Sequence, residues 1–159
     1  MSQTLTLARP YARAVFKMAR EQQRMPQWSN LLNWSAHAVS QPQVQTLLGN
    51  PGVSPQTLAE LVVPPGDVDP LFQQFLSVLA DNRRLAVLPE IAGLFDALRA
   101  EDEVAKLRAS LVKRFGREVQ VTTAVDAALI GGAVIDAGDV VIDGSLRSKL
   151  ERLGAALAN

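Results

Sequence analysis

The residues that could carry chemistry in this sequence are few. His37 is the only histidine and there is no cysteine. A lone histidine without cysteines or clustered carboxylates lacks the partners of a metal site, so it reads as a surface or packed residue. Gly131-Gly132 follows Ile130 and precedes an apolar run. It lacks both the lysine of a phosphate loop and the helix start that phosphate binding uses. Close backbone packing, or a bulge, is the simpler use of that pair. Asp136, Asp139 and Asp143 gather around one turn, but their spacing is not that of a calcium loop, and turns favour Asp in any case. No Ser, His and Asp set can be assembled. The expectation is therefore no catalytic residue, no cofactor and no metal.

Composition points the same way. Lys plus Arg is 16 and Asp plus Glu is 16, so no net field steers the chain toward nucleic acid or anionic lipid. Between Met25 and Asn82 there is no Lys or Arg, only Glu60, Asp67, Asp69 and Asp81. A nucleic-acid reader would rarely forgo basic residues over so long a stretch. Hydrophobic residues make up 48%, enough for a packed core. The absence of cysteine fits a reducing compartment. No run approaches the length of a membrane span and no export signal is evident, so the expected setting is the cytoplasm, with any membrane association indirect.

The elements that would position a site are mainly helices. Ala8, Tyr11, Ala12, Val15, Phe16 and Ala19 form one helical stripe, and Pro10 is expected in the first turn of that helix. A second helix follows Pro26, and a third runs from Pro42 to Leu48, stopped at Gly49-Asn50-Pro51. Ser54-Pro55 and Asp69-Pro70 are caps followed by first-turn prolines. They open a fourth helix through Leu61 and a fifth containing Phe72, Phe75, Leu76 and Leu79. Pro89 opens a sixth. After Ala100 a further amphipathic helix carries Val104, Leu107, Leu111 and Phe115 and ends at Gly116. Val119 to Val125 alternates with a period of two and predicts a strand. Ala133-Val134-Ile135 and Val140-Val141-Ile142 flank a glycine-containing turn and predict a hairpin, and Leu146, Leu150 and Leu153 mark a last helix. The fold class is mainly α. A six-helix bundle over residues 1–102 precedes a small α+β domain over 103–159.

Two helices carry more apolar surface than one core requires. On the first, Tyr11, Ala14 and Met18 widen the core stripe to an arc of roughly 200°. Arg9, Arg13, Lys17 and Arg20 hold its opposite face. On the fifth, Leu71, Phe75 and Val78 extend the arc, with Asn82 at its end. Such flanks are either buried by neighbours in the bundle or form a groove for a partner's amphipathic helix. These residues alone do not separate the two.

Several segments, taken in order, carry a resemblance. They are Ala8-Arg9-Pro10-Tyr11-Ala12-Arg13-Ala14, Phe75-Leu76, Asn82-Arg83-Arg84-Leu85 and Leu88-Pro89-Glu90-Ile91. Toward the end come Lys113-Arg114-Phe115-Gly116-Arg117, Leu129-Ile130-Gly131-Gly132-Ala133-Val134-Ile135 and Gly138-Asp139-Val140-Val141-Ile142-Asp143-Gly144-Ser145, then Arg147. Together they resemble the δ subunits of F-type ATP synthases (the OSCP/δ family) over nearly the whole chain.

That resemblance implies a non-catalytic stator subunit joining the catalytic head to the peripheral stalk, so that proton-driven rotation is coupled to ATP synthesis. It implies a groove between the first and fifth helices for the N-terminal helix of an α subunit, which points to Tyr11, Ala14, Met18, Phe75, Val78 and Asn82. It also implies contact between the C-terminal part and the b subunits. The implied location is the cytoplasmic side of a bacterial inner membrane, peripheral through the complex. One departure stands out. The family carries a strand and loop after the sixth helix, whereas here Arg99-Ala100-Glu101-Asp102-Glu103-Val104 runs straight on. Either the chain lacks that strand, leaving a sheet edge exposed, or the sequence omits a segment. The rival reading is a helical adaptor that uses the same groove for an amphipathic helix of an unrelated partner.

Overall fold

The protein is described by a computed structural model covering residues 3–138 and 140–157. Asp139 of the aspartate group lies outside the described residues. Seven α-helices and one two-stranded sheet are present among the described residues, so the architecture is mainly α with a small β element.

Helix α1 runs from Gln3 to Glu21. Pro10 lies well inside it, not in the first turn as its ring suggests. A proline at that position cannot donate to the carbonyl of Thr6. Thr6 is exposed, so water can take that carbonyl and the helix tolerates the gap. Helices α2 (Met25–Val39), α3 (Pro42–Leu48), α4 (Pro55–Leu61) and α5 (Pro70–Asp81) each have a proline in the first turn, where no N–H is needed. Ser54 caps α4 by accepting from the Thr57 amide at 3.2 Å, and Asp69 caps α5 by accepting from the Leu71 amide at 2.9 Å.

A single 3-10 turn at Leu85–Val87 leads into α6, which spans Leu88–Phe115 without interruption. The sequence divides this stretch into two helices, with a domain boundary at 102–103; the structure makes it one. The physical reason is that residues 99–106 contain neither Gly nor Pro and are stitched by i,i+4 ion pairs. Arg99 meets Glu103 at 2.9 Å and Lys106 meets Asp102 at 2.6 Å. Gly116 then ends the helix in the left-handed conformation at φ 63°. The chain's two compact units divide later, between Val119 and Gln120.

The first unit is organised around α6, which packs against α1 and α2, while α5 packs against α4. Trp28 and Phe72 are fully buried and meet edge-on at 5.4 Å, and Phe16 meets Phe95 likewise at 6.0 Å. The two buried serines of this core are matched. Ser35 donates to the Val62 carbonyl at 2.7 Å, and Ser29 and Asn33 donate to Asp96 at 2.6 and 3.1 Å.

The second unit holds β1 (Val134–Asp136), β2 (Val141–Asp143) and α7 (Leu146–Leu157). The strands are antiparallel, with Ile135 opposite Ile142, and the Ala137 amide closes the hairpin onto the Val140 carbonyl at 2.9 Å. Gly138 takes a positive φ of 86° in the turn, as its composition predicts. The strand expected over Val119–Val125 does not form. Alternation favours an extended backbone, but a strand needs a ladder partner, and the described sheet contains only β1 and β2.

Candidate functional site

The residues first considered for chemistry have local structural partners. His37 is exposed on α2, beside the Gln41 amide at 3.1 Å. At Gly132, φ is +83° and an added Cβ would lie 2.6 Å from the Gly144 carbonyl oxygen. The Gly131-Gly132 pair thus serves a close approach of backbone to backbone. Asp136 accepts from the Gly138 amide inside the hairpin turn. Asp143 accepts from the Ser148 hydroxyl and from the Ser145 amide at the start of α7. Those bonds, the Ser148 hydroxyl first, hold its carboxyl down at about 2. Asp143 therefore works as part of a helix start. Among the described residues no group of three or more His, Cys, Asp or Glu is placed to hold a metal ion, and no helix is long and apolar enough to cross a membrane.

The surplus apolar flanks are more informative. On α1 the buried residues are Ala8, Ala12, Val15 and Ala19. Leu7, Tyr11, Ala14 and Met18 each precede one of them directly. They therefore form a second stripe, turned about 100° to one side of the first. On α5 the buried residues are Phe72, Phe75, Leu76, Leu79 and Ala80; Leu71, Phe75 and Val78 directly precede Phe72, Leu76 and Leu79, with Asn82 next in the series. Both second stripes step by four, three and four residues. Both are displaced in the same rotational sense.

Two helices that share a core and carry flanks displaced in the same sense can face one another only if they run antiparallel. Two ties establish that they do. Arg24, just past the end of α1, meets Asp69 at the start of α5 at 3.3 Å. Arg84, just past the end of α5, donates through Nη1 to the Tyr11 hydroxyl in the first half of α1 at 2.8 Å. The end of α1 thus lies by the beginning of α5, and the first half of α1 lies by the end of α5. Because Tyr11 belongs to the second stripe, that stripe is on the side of α1 turned toward α5, and antiparallel geometry turns the α5 stripe back toward α1. The two helices pack mainly on other elements, and both touch the 3-10 turn. From Tyr11 to the end of α1 at Glu21 the strip is about 15 Å long, or about ten residues of helix.

Within this strip the six predicted residues differ in exposure. Val78 is 44% exposed, Ala14 and Asn82 are exposed, and Tyr11 and Met18 are partly buried against the core. Phe75 is only 7% exposed and packs into the core beside Phe72 at 6.1 Å, so it forms floor where Val78 forms wall. Asn82 turns its amide back onto the Val78 carbonyl at 2.7 Å, closing the last turn of α5. Two further exposed leucines, Leu7 and Leu71, continue the stripes beyond the predicted set. Leu7 was legible from the spacing 7, 11, 14 and 18. Arg84 had no local signal, because its partner is 73 residues away.

Comparison with known proteins places this geometry in a context. A family model described as ATP synthase delta (OSCP) subunit matches residues 7–104 and 100–157. A protein named ATP synthase subunit delta from Stenotrophomonas maltophilia (strain K279a) is 51% identical, with all of both chains covered. Proteins of the same name from Xanthomonas campestris pv. campestris (strain B100) and Xanthomonas euvesicatoria pv. vesicatoria (strain 85-10) are 51% and 49% identical, also with full coverage. Each alignment spans 176 positions against the 159 residues of this chain, so at least 17 positions have no counterpart in it. The two stretches matched by the family model join at residues 100–104, inside the uninterrupted α6.

Proposed function

We propose that this chain, which belongs to the ATP synthase delta (OSCP) subunit family, is a non-catalytic stator subunit. In this reading it links the catalytic head to the peripheral stalk, so that proton-driven rotation of the rotor is resisted and coupled to ATP synthesis. The partner on the head is the N-terminal helix of an α subunit, and the partners on the stalk are b subunits. The chain sits peripherally at the membrane through the complex, on the cytoplasmic side.

The observation that carries this reading is the pair of facing stripes on antiparallel α1 and α5. A third amphipathic helix laid along Tyr11, Ala14, Met18, Val78 and Asn82 would complete a seam with the spacing of a coiled coil. Each apolar side chain it buried would contribute roughly 1.5–3 kcal/mol before the costs of association. A small residue, Ala14, at mid-strip lets a helix backbone approach closely.

Calorimetric titration of the full chain with a synthetic peptide of the α-subunit N-terminal helix tests the reading. Binding at micromolar concentration or tighter is expected. Val78→Asp should weaken it at least tenfold, a cost of about 1.4 kcal/mol or more, while leaving the melting temperature nearly unchanged because Val78 is exposed. Unfolding by that substitution would assign Val78 to the core instead. Absence of wild-type binding would favour an adaptor for some other helix.

A further inference from the structure

We propose that Arg84 is a positioning residue of the α1–α5 strip, fixing Tyr11 so that the strip is preformed before a partner helix arrives; this rests on the groove reading above. The Arg84 backbone is tied to the end of α5, since its amide donates to the Leu79 carbonyl at 2.8 Å, and the residue caps the 3-10 turn that follows. Its side chain belongs to α1. The guanidinium donates to the Tyr11 hydroxyl at 2.8 Å and also lies over the phenol ring, 5.7 Å from its centroid. One side chain thus holds the ring by a charge-assisted hydrogen bond and a cation–π contact together. The preceding residue, Arg83, adopts φ +54°, a conformation uncommon outside glycine. The turn that delivers Arg84 to α1 therefore uses a backbone state the chain does not take by default.

The consequence is preorganisation. Tyr11 is the bulkiest side chain on the α1 stripe, and α1 and α5 pack mainly on other elements. A free phenol would sample rotamers across the mouth of the strip, and an arriving helix would bear the entropy of ordering it. With its hydroxyl and ring both engaged, Tyr11 offers a fixed apolar wall. At the other end Arg24 and Asp69 make an analogous tie, but the Arg24 side chain is largely exposed. Salt and solvent screen such a pair, so the Arg84 end is the one that sets geometry.

The test is a double-mutant cycle in the full chain, read by calorimetric titration with the α-subunit N-terminal peptide. Tyr11→Phe keeps the ring and removes only the hydroxyl; Arg84→Ala removes the guanidinium. Each should weaken binding about three- to tenfold, with the melting temperature shifted by no more than about 2 °C. The double variant should bind no more weakly than Arg84→Ala alone, and Arg84→Lys should fail to restore the planar contact and stay weak. Multiplying effects in the double variant, full affinity in Arg84→Lys, or single-variant affinities within twofold of wild type would overturn the proposal. If Arg84→Ala destabilises the fold, Tyr11→Phe decides alone. Loss of binding in Val78→Asp with normal binding in the Arg84 and Tyr11 variants would remove the clamp and leave the groove. A wild-type chain that binds no peptide removes both.

Discussion

The two compact units use similar apolar residues to different ends. In the first, Leu32, Leu76, Leu79, Leu85 and Leu88 are almost completely buried in one continuous core. In the second, Leu146, Leu150 and Leu153 recur along α7 at helical spacing, yet all three are exposed, as are Val134 and Val141 of the hairpin. Six helices joined by short connections can bury each other's stripes locally, so the first unit has its core within its own sequence. A two-stranded hairpin with one helix cannot do so, because a hairpin alone is marginal in water and leaves both edges open. An apolar residue is therefore a core residue only where enough neighbouring elements surround it.

The sharpest way to break that contrast is the same substitution in both units. Leu76→Ala should cost about 2–5 kcal/mol of stability, because it leaves a cavity in a packed interior. Leu150→Ala, at a residue 54% exposed, should stay within about 0.5 kcal/mol. Urea denaturation of the two variants checks this, and comparable losses would mean that α7 is packed after all. A smaller effect separates backbone from side-chain support in the second unit. Gly132→Ala combines a positive φ with a Cβ placed against the Gly144 carbonyl, so it should cost roughly 1–3 kcal/mol. The loss should appear as faster amide exchange at Ile135 and Ile142, with the helices of the first unit unaffected.

The smallest expected effect is on pH. Asp143 has its carboxyl lowered from 3.8 to about 2 by the Ser148 hydroxyl and then by the Ser145 groups. A carboxyl depressed on folding contributes stability that is complete above its unfolded value and is lost as pH falls through the folded one. The start of α7 should therefore loosen between about pH 4 and pH 2. Ser148→Ala should move that loss to higher pH. An unchanged acid profile for the α7 amides would show that the cap carries no stability.

Much of the first unit was legible because its signals are local. Ser54-Pro55, Asp69-Pro70 and Gly116 punctuate helices by capping chemistry that needs only near neighbours. What escaped depended on distant or missing partners. Val119–Val125 has the pattern of a strand, but pattern does not supply a ladder. The joining of two expected helices into α6 follows from ion pairs across residues 99–106, at the place where the two family matches meet. Pro10 inside α1 shows a breaker tolerated where the orphaned carbonyl belongs to an exposed residue. Of the candidate strip, the α1 and α5 flanks were visible as surplus apolar arc, whereas their antiparallel facing came only from Arg24–Asp69 and Arg84–Tyr11. Long-range side-chain pairs of this kind leave no periodic trace.

The most direct test of the central claim is to map where the α-subunit helix binds. Backbone amide shifts of the full chain would be followed by NMR while the unlabelled α N-terminal peptide is titrated in. The account predicts that the largest shifts fall together on Tyr11, Ala14, Met18, Val78 and Asn82, along the two facing stripes, with residues 120–157 unmoved. Saturable binding whose largest shifts lie elsewhere, or the absence of any shift at those five positions, would contradict it.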